Sequence, residues 1–410
     1  MIPTANERDT LRALAREVAE IAADPVQQMT IGLWKDLNRL RARRPMVMID
    51  QVPWHEMNVE DELSLQCEDG FWRQVEMGLR CSLYRWKHMR VDWVVEPVVD
   101  IPKAIRNTGM GIGVEEERLV SDPTNSVVSH HYVDQLADEG DLARLVAPRV
   151  SLDEETTRRR EAAAHEIFDG ILEVRMQGRF PVFAPWDILS QWRGVEPILY
   201  DIVDRPDYLH RLAARLTEAK LAELDQFEEQ GLLGTGQGWI HCTGAFNDEL
   251  EAAADGCGRA AGLWTFGMSQ MFSTVSPAMH EEFEVPYLSP WFERFGLAYY
   301  GCCEPLHLKV DLIRKLPHVR KVSMSPWVDQ EIGAGKLGRD FVFSRKPNPA
   351  FLAVDSWDPK AVECDLRETI DTCERHGCAL ELILKDISTA RYEPQRLWEW
   401  ADIAMALVGA

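Results

Sequence analysis

The chain has 410 residues, 46% hydrophobic and 27% charged, a globular composition with room for a large core. Its net charge of −22 argues against nucleic acid as a partner, and no apolar run of about 18 or more residues suggests a membrane span. The first residues lack the basic-then-apolar pattern of a secretory signal, and nine cysteines without a CxxC pair read as reduced thiols, so a cytoplasmic protein is expected.

Residues 1–90 read as mostly helical. Leu11, Leu14, Ala15, Val18 and Ile21 recur at helical spacing, a short strand-like run follows Pro45, and a second helical pattern covers 61–85. This stretch is expected to be an N-terminal elaboration packed on a main domain, 91–410. In that domain strand-like apolar runs recur at 93–99, 180–185, 238–242, 262–268, 297–300, 319–324, 341–343 and 379–384. Helical patterns at 154–175, 206–230, 277–295 and 359–376 separate many of them, with Pro206, Pro277 and Pro359 at first turns. Eight strands alternating with helices predict an α/β fold, a (β/α)8 TIM-type barrel with an N-terminal helical elaboration. A doubly wound open sheet is the rival, and it lacks a GxGxxG after its first strand.

A short polar cluster follows nearly every strand. In chain order these are Trp186-Asp187, His241-Cys242-Thr243, Ser269-Gln270, Cys302-Cys303-Glu304, Ser325-Pro326-Trp327, Ser344-Arg345-Lys346 and Lys385-Asp386. On a barrel they converge on the C-terminal rim, the active-site face. Cys303 and Glu304 end the run Leu297-Ala298-Tyr299-Tyr300, after which Gly301 frees the backbone to turn. Thiolate, carboxylate and imidazole are zinc donors, so Cys303, His241 and Glu304 are the candidate metal ligands. Glu304 and Asp386 are the candidate catalytic carboxylates. Trp186, Trp264 and Trp327, with Asp187, suggest an aromatic-lined substrate pocket, and Arg345 suggests a hold on an anionic group.

These segments resemble the uroporphyrinogen decarboxylase superfamily, over roughly 180–405. The likeness is carried by Phe183-Ala184-Pro185 with Arg193-Gly194, Ser276-Pro277 with Glu284 and Pro286-Tyr287, Gly301-Cys302-Cys303, and Tyr392-Glu393-Pro394. The N-terminal Arg-rich stretch of the porphyrinogen decarboxylases is not found here. In the zinc-dependent, corrinoid-linked methyltransferase branch a His-x-Cys-Gly ends the equivalent strand. Cys303 falls on that cysteine, Gly301 stands where the histidine should be, and the last strand offers Lys385-Asp386 instead of a second cysteine.

The resemblance implies a zinc-dependent methyltransferase that moves a methyl group from a small methylated donor, a methoxylated aromatic among the candidates, to a corrinoid on a separate partner protein. It also implies a homodimer. A metal-free decarboxylase or lyase of the same superfamily and a non-catalytic barrel that binds a tetrapyrrole or small ligand stay open as alternatives.

Overall fold

The computed structural model describes residues 3–120, 128–251 and 257–409. Its centre is a six-stranded sheet: β1 (Met46–Ile49), β2 (Trp264–Gly267), β3 (Leu297–Tyr300), β4 (Val319–Met324), β5 (Val342–Arg345) and β6 (Ala379–Leu384). The order is β1-β6-β5-β4-β3-β2 and every pairing is parallel. Parallel neighbours need crossover connections, and helices such as Pro277–Phe292 and Pro359–His376 supply them.

Side chains alternate between the faces of the sheet. Met46, Met48, Phe266, Leu297, Tyr299 and Ile383 point to one face, where they pack with Trp34, Ile240 and Cys242. Val47, Ile49, Val322, Phe343, Leu382 and Leu384 point to the other and meet the helices. All four residues of β1, β2, β3 and β5 are buried, which is why these strands read as continuous apolar runs.

Among the described residues the regular ladders are one six-stranded parallel sheet, consistent with the expected α/β fold, and four two-stranded ones; a closed ring of eight is not among them. Where the sequence predicts strands at 180–185 and 238–242, extended segments replace them. The Phe183 N–H donates to the Phe266 carbonyl at the β2 edge, and Arg179 bridges Leu233. Residues 239–244 turn back as a short antiparallel hairpin, whose Thr243 reaches Lys321 and Glu381 on the inward face. The strand expected at 93–99 forms later, as Val98–Pro102 paired with Glu173–Gln177.

The division expected at residue 90 is cut across by packing. Met46–Ile49 belongs to the central sheet, and Leu11, Leu14 and Trp72 share a core with Val99, Ile101 and Phe168. The hydrophobic faces of the helices Ala5–Ala22 and Gly70–His88 are buried by residues on both sides of that boundary. No helix of the described residues is long and apolar enough to cross a membrane.

Candidate active site

The C-terminal ends of β3 and β6 deliver the chemistry. After Tyr300 the chain turns at Gly301, whose φ is 90° and where a Cβ would stand 2.3 Å from Leu306 Cδ1. That turn presents Cys302 and Cys303 with their sulfurs 3.5 Å apart. After β6, Lys385 sends Nζ to 2.9 Å from Cys302 Sγ, and Cys303 Sγ lies 2.9 Å from Asp386 Oδ2. His241, at the hairpin turn, brings Nε2 to 3.4 Å from the same ammonium, its ring stacked on Phe266 at 3.9 Å.

Asp386 (φ 57°) and His241 (φ 52°) both hold the left-handed conformation. Residues other than glycine pay on the order of 1 kcal/mol or more for it, and such strain gathers at functional sites. Lys385 and Cys302 are buried, Cys303 and His241 half-buried, and Asp386 exposed, so the cluster opens to solvent on one side.

The two thiols are inequivalent. The Cys303 hydrogen bond holds the Cys302 thiol far below its ordinary range against the cost of burial, and His241 and Lys385 add to that. The same hydrogen bond and burial push Cys303 up. Cys302 is therefore the thiolate and Cys303 the protonated partner, with Asp386 and Cys302 both within reach of its single proton. Burial opposes a charge on His241, but Cys242 and Cys302 outweigh it and raise the ring to about 9. A charged ring has no lone pair on Nε2. The 3.4 Å approach of Lys385 is then a contact between two donors that share the thiolate, and only the neutral tautomer makes it a hydrogen bond.

Behind the thiols lies a group of buried carboxyls. Asp187, at the start of the helix Pro185–Arg193, accepts from the Gln270 N–H at 3.1 Å. Burial and the neighbouring charges of Glu304 and Cys302 raise it to about 7. Glu304 does not face the sulfurs: its Oε2 accepts the Cys302 N–H at 2.8 Å, and burial followed by the Cys302 charge raises its pKa. Glu284 is fully buried with neither oxygen hydrogen-bonded, and burial pushes it well above the carboxylate range. Its helix also carries His280, whose ring nitrogen lies 2.8 Å from the Tyr300 hydroxyl. Burial favours the protonated form of each of these carboxyls, the form that can donate a proton.

A zinc ion fits this arrangement poorly. Among the described residues no three His, Cys, Asp or Glu side chains come together as a metal-binding group. Cys303 and His241 do reach the cluster, but Glu304 is turned to a backbone N–H, and the Lys385 ammonium lies among Cys302, His241 and Asp386. No step is routed through a metal below.

The aromatic wall differs from the one expected. Trp186 is buried and donates from Nε1 to the Phe283 carbonyl, a packing role. Trp264 stands at the other, N-terminal, end of its strand, 5.7 Å from Lys321 Nζ. Trp327 is 70% exposed on the rim. Arg345 points to the helix side, donating to the Ser325 carbonyl and pairing with Asp365, while the next residue, Lys346, turns inward to Ser344 and Tyr299. A cleft of about 420 Å³ that does reach His241 is walled by Trp93, Phe180, Trp239 and Phe246. Sequence reasoning missed this cleft, and it passed over Lys385, Glu284 and His280 as site residues. The one signal for Lys385 was its place directly after β6.

No protein-family model matches the chain, and no curated protein matches it by sequence. A solved methyltransferase from Methanosarcina mazei is similar over 92% of this chain and 96% of that one, at a TM-score of 0.52 and 13% identity. At that identity the likeness is one of fold.

Proposed function

We propose that the chain is a methyltransferase that takes a methyl group from a small methylated donor, a methoxylated aromatic compound being the best fit, and passes it to a corrinoid on a separate protein. The observation that carries this reading is Asp187, a half-buried carboxyl raised to about 7 beside the Cys302–Cys303 turn. A methoxyl oxygen is a poor leaving group until it is protonated. A half-buried carboxyl whose pKa lies near neutral, behind a strand-end cluster, is suited to supply it.

In this reading the aromatic ring of the donor packs in the cleft of Trp93, Phe180, Trp239 and Phe246, with its methoxyl group past His241. Asp187 gives its proton to the oxygen as the carbon–oxygen bond breaks. The bonding pair stays on oxygen, and the methyl carbon goes to the acceptor. Burial first, and then the nearby Glu304, favour the protonated form of Asp187. The reduced corrinoid, when docked, supplies the nucleophile. The fold likeness to a methyltransferase supports the reading without deciding the substrate.

The test is a screen of methoxylated aromatics, methylamines and methyl thioethers with the purified chain and free cob(I)alamin, followed by absorbance and by mass of the demethylated product. Demethylation of an aromatic methoxyl compound at a rate above the protein-free control is expected. Turnover of carboxylated substrates to carbon dioxide, with no methyl transfer, would replace this reading by the decarboxylase alternative.

A further inference from the structure

Three donor types that suit zinc surround one side-chain cation. Lys385 Nζ lies 2.9 Å from Cys302 Sγ, 3.4 Å from His241 Nε2 and 3.5 Å from Asp386 Oδ1. These are a sulfur, an imidazole nitrogen and a carboxylate oxygen, with Cys303 Sγ 3.5 Å beyond Cys302. The lysine is not a surface residue that has fallen inward. It directly follows β6, whose residues are all buried, and it is itself buried. Its backbone course is fixed on the next residue too, where the Asp386 N–H donates to Gln51 Oε1 at 3.0 Å.

We propose that Lys385 takes the metal's place: its ammonium is the permanent cation of the site, and it keeps a divalent ion out of the donor set His241, Cys302, Cys303 and Asp386. The geometry supports this. A divalent ion drawn to the same donors at about 2.0–2.3 Å would have to sit against the ammonium.

Lys385 is thus a positioning residue. It holds Cys302 in place without itself reacting. The proposal rests on reading the cluster as the reaction centre, but not on which group is transferred, and its test needs no turnover.

The experiment uses the full chain and Co²⁺ as a spectroscopic stand-in for zinc, with elemental analysis for zinc itself. Wild type is expected to show no thiolate-to-cobalt charge-transfer absorption and well under one zinc per chain after zinc is supplied and dialysed away. Lys385→Met is expected to gain the absorption and to bind zinc at least roughly tenfold more tightly, the scale on which groups around a metal change its affinity. Lys385→Arg, which keeps a cation, should not gain it, and Lys385→Met/Cys302→Ser should lose it again. A wild type that binds Co²⁺ at one equivalent with sulfur charge transfer, abolished by Cys303→Ser, overturns the proposal. So does a folded Lys385→Met that binds no better than wild type. If Lys385→Met does not fold, the wild-type titration alone decides.

Discussion

Two lysines on the inward side of the sheet sit in opposite surroundings. Lys321, in the middle of β4, is fully buried and gives all three of its protons away: to Glu381 at 2.7 Å, to Thr243 Oγ1 at 3.1 Å and to the Gly244 carbonyl at 3.0 Å. Trp34 and Trp264 close over it. Lys385, further toward the C-terminal end of the sheet, faces a cysteine sulfur, a histidine and an exposed aspartate that solvent can reach. Among the described residues, polar atoms without a hydrogen-bond partner occur in both places: Glu381 Oε1 and Trp264 Nε1 beside Lys321, and Glu284, one oxygen of Glu304, the Ser269 hydroxyl and one nitrogen of His280 around the upper layer.

The contrast separates two uses of the same residue type. A buried charge whose protons are all placed specifies packing. Shifted acids beside an opening mark a place where something else binds or reacts.

Breaking the lower layer should have the largest effect. Lys321→Met leaves Glu381 charged, buried and without its cation, which costs about 3–5 kcal/mol. Urea unfolding should show that loss, and Lys321→Met/Glu381→Leu should recover most of it. A single variant within about 1 kcal/mol of wild type would mean that the pair contributes little.

The upper layer should respond the other way round. Asp187→Asn keeps the shape and removes the proton, so activity should fall by roughly 10²–10⁴-fold with unfolding almost unchanged. The sign of the pH dependence follows from the raised pKa. Asp187 acts as an acid only while protonated, so wild-type activity should be full below about 7 and decline as pH rises through that value. In Asp187→Asn this limb should be missing. A limb that persists would belong to another group.

The upper layer was partly legible in the sequence and the lower one hardly at all. Leu297-Ala298-Tyr299-Tyr300 and the run 379–384 are apolar enough to read as buried strands, and the Cys302-Cys303 turn announces itself through Gly301. Lys321 and Glu381 sit inside such runs as charges, and nothing local tells that they meet, because their sheet positions are set by a third strand between them. The hairpin 239–244 is too short to signal its return inward. Arg345 is a different case. Period-two alternation already puts Ser344 and Lys346 on neighbouring turns of one side but Arg345 on the opposite face from Ser344, and the strand shows it bound to Asp365. Asp187 and Glu304 stand out in the sequence singly but not as one group with Glu284, because Glu284 lies on one helix and Asp187 on another, and only folding brings them near Glu304.

The smallest effect is expected at the rim. Trp327 follows β4 in the turn Ser325-Pro326-Trp327, yet it is 70% exposed and stacks on no other ring among the described residues. An exposed side chain outside the core contributes within about 0.5 kcal/mol to unfolding, so Trp327→Ala should leave the urea midpoint where it is. A ring standing at the mouth can still meet the donor or the partner that brings the acceptor. In that case the loss of apolar contact raises KM a few-fold while kcat holds, the signature of binding that is equal in ground and transition states. A fall in kcat with KM constant would instead place Trp327 against the reacting atoms. The rim would then belong to the reactive layer beside Lys385, and the division between packing and chemistry would run outside Trp327 rather than inside it.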